Sequence, residues 1–227
     1  MLRRDGWNVS LGKVLRIWRG EGLRVPQKRR KRRRLGDSSQ GCIRQSASGP
    51  NDVWSYDFVM DRTEDGRRLK MLTLVDEYTR EALAIHVARR IKAKDVVDVL
   101  ASVIRERGVP KHIRSDNGPE FIANEVRSWL AKLGAKTLYI EPGSPWQNAY
   151  VESFNGKLAD ELLDLEIFTT LAEARFLVED WRVSYNIHRP HSSLGYRAPA
   201  ENASCWSASG LATLGLRPTS KTPQHQP

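Results

Sequence analysis

The sequence predicts an α/β protein built on a mixed five-stranded sheet, in which three antiparallel strands are followed by alternating helices and strands, with helices flanking the sheet. Two patterns carry that expectation. Between residues 53 and 87, three segments alternate side chains with the period of a strand and are separated by turn-rich or charged stretches, as in a meander. Beyond residue 90, apolar residues at helical spacing alternate with short apolar runs. The chain has 227 residues, 40% of them hydrophobic, enough for one main domain with an appendage. Its longest apolar runs are a few residues, far below the ~20 that span a bilayer, and no signal-like apolar core opens it.

Leu11, Val14, Leu15 and Trp18 recur at helical spacing behind Ser10 as N-cap, with Gly20 and Gly22 as stop signals. This predicts one short amphipathic helix. A helix-turn-helix needs at least one more, so residues 1–27 read as the end of a helical DNA-binding unit whose beginning the chain lacks. Residues 35–50, rich in Gly and Ser, read as a linker. Val53 to Met60 is a strand with Trp54, Tyr56, Phe58 and Met60 on one face and Val53, Ser55, Asp57 and Val59 on the other. Strands over Leu69 to Val75 and Ala82 to Val87 complete the meander. A helix follows over Asp95 to Arg107 with Val96, Val99, Leu100 and Val103 inward, then a strand at His112 to Ser115, a helix from Pro119 to Leu133 and a strand at Lys136 to Ile140. Two long helices close the pattern, Pro145 to Leu163 and Leu171 to Tyr185. The first opens with Ser144 and Gln147 as a capping box and Pro145 at its first position. Little order is expected beyond about residue 202.

The charge is unevenly placed. Residues 1–50 hold 14 Lys+Arg against 3 Asp+Glu, whereas residues 51–227 hold 23 against 24, so the whole net charge of +10 resides at one end. Its densest part is Lys28, Arg29, Arg30, Lys31, Arg32, Arg33 and Arg34, a run that cannot pack against itself and suits the phosphates of a nucleic acid. No lipidation signal or basic amphipathic helix directs it to a membrane. Cys42 and Cys205 are far apart and lack partners at metal-ligand spacing, which excludes a zinc finger or disulfide framework.

With no nucleophilic Ser motif, phosphate-cradling Gly loop or reactive-cysteine setting, carboxylates remain as the catalytic material. Asp57 lies mid-strand on a face otherwise lined by Val53, Ser55 and Val59, where an ionised carboxylate needs a cation. Asp116 directly follows the strand at His112 to Ser115, at the carboxyl end where open α/β sheets place their sites. Glu152 sits on the helix from Pro145, sharing a polar face with Asn148, Asn155 and Ala159, while Val151, Phe154, Leu158 and Leu162 form the packing stripe. Three converging carboxylates would repel one another unless divalent cations neutralise them, and oxygen ligands suit Mg²⁺ or Mn²⁺. The spacing of His188 and His191 suggests a metal, but without a Cys pair zinc is set aside. Trp181 and Tyr185 continue the stripe of Leu171, Ala174 and Val178 and read as core; Trp146 is balanced between core packing and base stacking.

The strings Trp-Ser-Tyr-Asp-Phe around Asp57, Ser-Asp-Asn-Gly-Pro-Glu-Phe around Asp116 and Ala-Tyr-Val-Glu-Ser-Phe-Asn-Gly-Lys around Glu152, with 35 residues between the last two, resemble the Asp-Asp-35-Glu core of bacterial insertion-sequence transposases related to retroviral integrases. Tyr185-Asn186 and the stretch Arg189 to Tyr196 resemble the same family, and the likeness extends from about residue 8 to 200. It implies a ribonuclease H-like fold, two Mg²⁺ (or Mn²⁺) ions held by Asp57, Asp116 and Glu152, and metal-dependent cleavage and strand transfer of DNA. It further implies a second-frame product acting as a homo-oligomer on element ends and target DNA, with an upstream-frame helix-turn-helix protein as partner, in the bacterial cytoplasm at the nucleoid. DNA contacts are expected from Lys28 to Arg34 and from Asn148, Asn155 and Lys157. Glu120 and Asp61 fall beside the metal positions. Family members commonly carry Lys or Arg where this chain has Ala159. The chain then divides into a DNA-binding segment (1–27), a basic arm and linker (28–50), an integrase-like core (51–163), a helical extension (164–200) and a tail (201–227). Two alternatives stay open: a ribonuclease H-like nuclease that hydrolyses without joining, and a truncated, inactive copy that occupies element ends as an inhibitor.

Overall fold

A computed structural model describes residues 6–22, 46–115, 120–139 and 148–205. Lys28 to Arg34, Asp116 and Ser144 to Gln147 lie outside these. The chain forms two compact units, Met1–Ile43 and Arg44–Pro227. In the first, α1 (Leu11–Gly20) starts at Ser10, whose Oγ accepts from the Lys13 N–H at 3.3 Å. None of its residues is buried; Leu11, Leu15 and Trp18 are all exposed.

The second unit contains β1 (Val53–Arg62), β2 (Arg68–Asp76), β3 (Ala82–Ala88), α2 (Ala93–Arg107), β4 (His112–Ser115), α3 (Glu120–Lys132), β5 (Lys136–Tyr139), α4 (Ala149–Leu158) and α5 (Leu171–Ile187). The five strands form one sheet in the order β3-β2-β1-β4-β5. The first three are antiparallel, while β4 runs parallel to β1 and β5 parallel to β4, as the alternating pattern predicts. The central strand, β1, pairs with β2 along its length, from Trp54 opposite Asp76 to Arg62 opposite Arg68. Its pairing with β4 covers only Val53 to Ser55.

Period-two alternation sends neighbouring strand residues into two separate cores. Trp54, Tyr56, Leu72 and Leu74 pack with Val96, Leu100 and Val103 of α2 and with Val126 and Leu130 of α3. On the other face Leu69, Met71, Val75 and Val87 pack with Val151, Phe154 and Leu158 of α4 and with Ala174, Val178 and Tyr185 of α5. Each large side chain buried this way contributes about 1.5–3 kcal/mol. Met60, expected on the first face, is 62% exposed because the strand has run past its covering helices.

The structure redraws the last third of the chain. The helix expected over Pro145 to Leu163 is α4, with Asn148 as an N-cap that makes no side-chain cap bond, followed by one π-helical turn at Ala159–Leu163. The Asp164 N–H reaches back five residues to the Ala159 carbonyl at 2.9 Å, and within that turn Glu161 accepts from the guanidinium of Arg189 at 2.6–3.0 Å. α5 is integral to the second core and also covers the edge strand: Asn186 bonds both the N–H and the carbonyl of Ala82, and Arg175 donates to the Val87 carbonyl. Such covering removes an open edge available for unwanted pairing. Residues 199–205 are helical, extending order past 202.

His191 ties the loop after α5 to this core, its ring meeting Tyr185 edge-on at 5.2 Å. Burial, reinforced by the positive charges of Arg189, Lys157 and Arg80, pushes its imidazole down to about 4. A histidine with a lowered folded pKa stabilises the fold fully above its unfolded value of about 6.5 and progressively less as pH falls toward 4. Stability by urea titration should therefore drop by roughly 1–3 kcal/mol across that window, and His191→Phe should flatten the drop.

Candidate active site

Asp57 stands midway along β1, half-buried, two residues beyond the last rung that β1 shares with β4. Its Oδ1 accepts from the Phe58 N–H at 2.7 Å, and its Oδ2 accepts from Nδ2 of Asn155 at 2.8 Å. Thr73 lies directly opposite on β2 and donates from Oγ1 to Oδ1 of Asn155 at 2.9 Å, with the Asp57 carbonyl at 3.2 Å. The Asn155 carboxamide thus bridges two strands from α4. Val151, Phe154 and Leu158 are buried against this same face of the sheet, and Asn155, one turn after Val151 and one before Leu158, is carried toward the strands with them.

Glu152 is exposed and precedes Asn155 by three residues, which places it about 60° away around the helix. The same amide that binds Asp57 therefore brings the Glu152 flank of α4 to β1. The polar face expected to run along DNA is not uniform. Asn148 is 3% exposed at the helix start, and Asn155 is turned inward by its bonds to Asp57 and Thr73. Lys157 lies on the other flank, its Nζ donating to the carbonyl and hydroxyl of Ser153 at 3.4 and 3.2 Å. Among the described residues no three His, Cys, Asp or Glu side chains form a metal cage; Asp116 falls outside them.

Beside Asp57 is a buried ionic group that sequence reasoning missed. Arg114, 4% exposed, donates through Nη1 to Oε1 of Glu77 at 2.5 Å, and Glu77, 1% exposed, also accepts from the Ser55 hydroxyl. Ser55 and Arg114 face each other in the β1–β4 ladder. Truncating one partner would leave an uncompensated buried charge, at a cost of about 3–5 kcal/mol. Nothing local announced it: the strand His112–Ser115 holds one apolar residue, Ile113, so an Arg there does not by its sequence demand a buried acid.

Asn155→Ala should destabilise the protein by about 1–2 kcal/mol, and Thr73→Val by a similar amount, because each leaves a hydrogen-bonding group unmet. The double variant should cost less than the sum by ~1 kcal/mol in denaturant titrations, since the two share one network; strict additivity would remove the bridge.

Comparison with known proteins agrees with this geometry. Residues 47–145 and 133–199 match integrase core domain families. The chain is 43% identical over 203 residues to an uncharacterized 31.7 kDa protein of insertion element IS407 from Burkholderia multivorans, spanning 89% of this chain and 72% of that one. It is 30% identical over 186 residues to the transposase of insertion sequence element IS904 from Lactococcus lactis, spanning 80% and 73%. In fold it is similar to the HTLV-2 integrase catalytic core domain solved in complex with magnesium, with a TM-score of 0.55 at 17% identity over 69% of this chain and 99% of that one. The mixed sheet is therefore of the ribonuclease H-like kind expected. Motifs, sheet order and relatives agree, and the chain belongs to the insertion-sequence transposases built on an integrase core.

Proposed function

We propose that Asp57, Asp116 and Glu152 are the catalytic and metal-holding residues with which this transposase cuts the DNA ends of its element and joins them to target DNA. The observation that carries the reading is the hydrogen bond from Asn155 to Asp57, which fastens the helix bearing Glu152 across β1. The ladder supplies the second support. Ser55 opposite Arg114 is its last described rung, and Asp57 and Asp116 each follow that rung by two residues.

The donors fit hard divalent cations: three carboxylates, with an amide beside them and no imidazole or thiolate in the set. Mg²⁺ or Mn²⁺, as a pair, supplies positive charge at the reacting phosphate and lowers the pKa of the attacking oxygen when bound. The chain's own part is positioning. Asn155 fixes the rotamer of Asp57, and Thr73 fixes Asn155, so one carboxylate is held before substrate arrives. In cleavage a water oxygen forms the new phosphorus–oxygen bond while the bond to the 3′ oxygen breaks. In joining, the freed 3′ hydroxyl releases its proton to solvent as its oxygen attacks a target phosphodiester, one phosphorus–oxygen bond forming as another breaks, and the leaving oxygen takes a proton from solvent.

DNA is gripped through the phosphates by Lys28 to Arg34 and by Lys157, with the protein acting as a homo-oligomer on the ends. The exposed apolar face of α1 suits a helix-turn-helix partner from an upstream reading frame. No helix among the described residues is long and apolar enough to cross a membrane, and the reading puts the protein at the bacterial nucleoid.

Asp116→Asn should abolish Mg²⁺-dependent joining of a pre-cleaved end, with duplex affinity changed by less than about twofold because the cationic arm is separate. Joining retained by that variant would overturn the assignment. Neutralising Lys28 to Arg34 should weaken binding to all sequences and flatten the log–log salt dependence by ~0.9 for each phosphate the arm no longer neutralises.

A further inference from the structure

We infer that the end of the sheet beyond Asp57 carries a second DNA-backbone contact, made by arginines in one row across β1, β2 and the connection after β3. This rests on the reading that the chain acts on DNA. The β1–β2 hairpin continues well past the end of β4, and its last rung sets Arg62 directly opposite Arg68. One step nearer the site on β2, Lys70 faces Ala88 of β3, so Arg68 and Arg90 each lie two residues beyond that rung. With strands about 4.8 Å apart, the three arginines form a cationic row roughly 10 Å wide. All three are exposed, and among the described residues none of their side chains enters an ion pair or hydrogen bond.

Two local rules are broken here at once. Like charges directly opposite each other destabilise an antiparallel pair. Cations at a helix N-terminus oppose the helix dipole, yet exposed Lys92 and Lys94 flank the first residue of α2, Ala93. Exposed Arg67 adds to the group from the hairpin turn. Acids are present but outnumbered: Asp61 accepts from the Arg62 N–H, Asp65 from the Thr63 hydroxyl and the Arg67 N–H, and Asp95 from the Lys92 N–H, with Glu64 in the turn, against Arg62, Arg67, Arg68, Arg89, Arg90, Lys92 and Lys94. A polyanion relieves both conflicts. Apart from Met60, the surface offers little of the desolvated apolar centre that a protein partner requires, whereas a phosphate backbone is charged at every step. Five residues of strand separate Arg62 from Asp57, ~17 Å, about five base-pair rises of B-DNA. The row faces the side of the sheet away from Asp57, as its register parity requires, so the duplex segment it holds is a different one from that at the carboxylates.

The test uses the full-length protein and a labelled duplex of random sequence, with affinity measured by anisotropy over a salt series. The triple variant Arg62→Gln, Arg68→Gln, Arg90→Gln is made in the parent and in a background with Lys28 to Arg34 neutralised. In both, the log–log slope should fall by about two to three units, at ~0.9 for each phosphate left unneutralised, and the corresponding triple Lys variant should keep the slope of its background. The Gln variant should melt at or above the parent temperature at low salt, because the like-charge rung is gone. A slope unchanged in both backgrounds overturns the inference and directs these arginines to an acidic protein instead. A lowered melting temperature also overturns it, by assigning them to the fold. A parent that neither binds duplex nor joins ends would sink the transposase reading itself; a parent that does both, with a Gln variant of equal slope, sinks this inference alone.

Discussion

One carboxamide couples the strand that bears Asp57 to the helix that bears Glu152. Asn155 spends its donor on Asp57 and its acceptor on Thr73, and no other side chain of that length offers both functions in one plane. The geometry is possible because Val151, Phe154 and Leu158 pack α4 onto that same face of the sheet. Hydrophobic burial fixes the rotation of the helix, and the amide converts that rotation into a defined carboxylate. The strand and the helix are otherwise far apart in the chain, so the bond closes a large loop. It gains stability only because the packing that supports it has already met the entropic cost of that closure.

The surroundings of Asp57 divide into an ionic side and an aromatic side. On the ionic side Arg114 and Glu77 neutralise each other out of contact with water, and Ser55 links the pair to the strand that bears Asp57. A buried pair of this kind adds little net stability, but the loss of either member would leave a bare charge next to the site. On the aromatic side Phe154, Trp181 and Tyr185 stack between α4 and α5, with centroids 5.0–5.6 Å apart. The burial that makes this cluster also pushes the Tyr185 hydroxyl upward in pKa, so it stays protonated. Through these contacts α5 helps orient α4 and with it Glu152.

The positive charge of the protein is similarly divided. The sequence shows one dense block, Lys28 to Arg34, because those cations are consecutive. The row of Arg62, Arg68 and Arg90 has no comparable linear signature, since its members lie in separate stretches, 61–68 holding acids and cations alike and 89–95 adding a short basic cluster. Only antiparallel registration lines them up.

The sequence by itself determined the elements, their order and the sheet class. Period-two alternation in β1 to β3 and helical spacing in α2, α4 and α5 are local properties of the chain and are visible without its partners. The candidate carboxylates were legible for a related reason: an Asp inside an apolar strand and a Glu on the polar flank of an amphipathic helix violate or respect periodicity in ways that need no coordinates. Tertiary structure decided what each polar side chain touches. Asn155 reads as outward-facing from its helical position, but its direction depends on which strand the stripe of α4 meets. Arg114 and Glu77 stand 37 residues apart in the chain, and nothing local marks them as a pair. The π-turn at Ala159–Leu163 and the covering of β3 by α5 likewise arise from contacts between distant segments, Arg189 with Glu161 and Asn186 with Ala82. Periodicity reports which face of an element is apolar; the partner that meets its polar face is set by the packing of the whole fold.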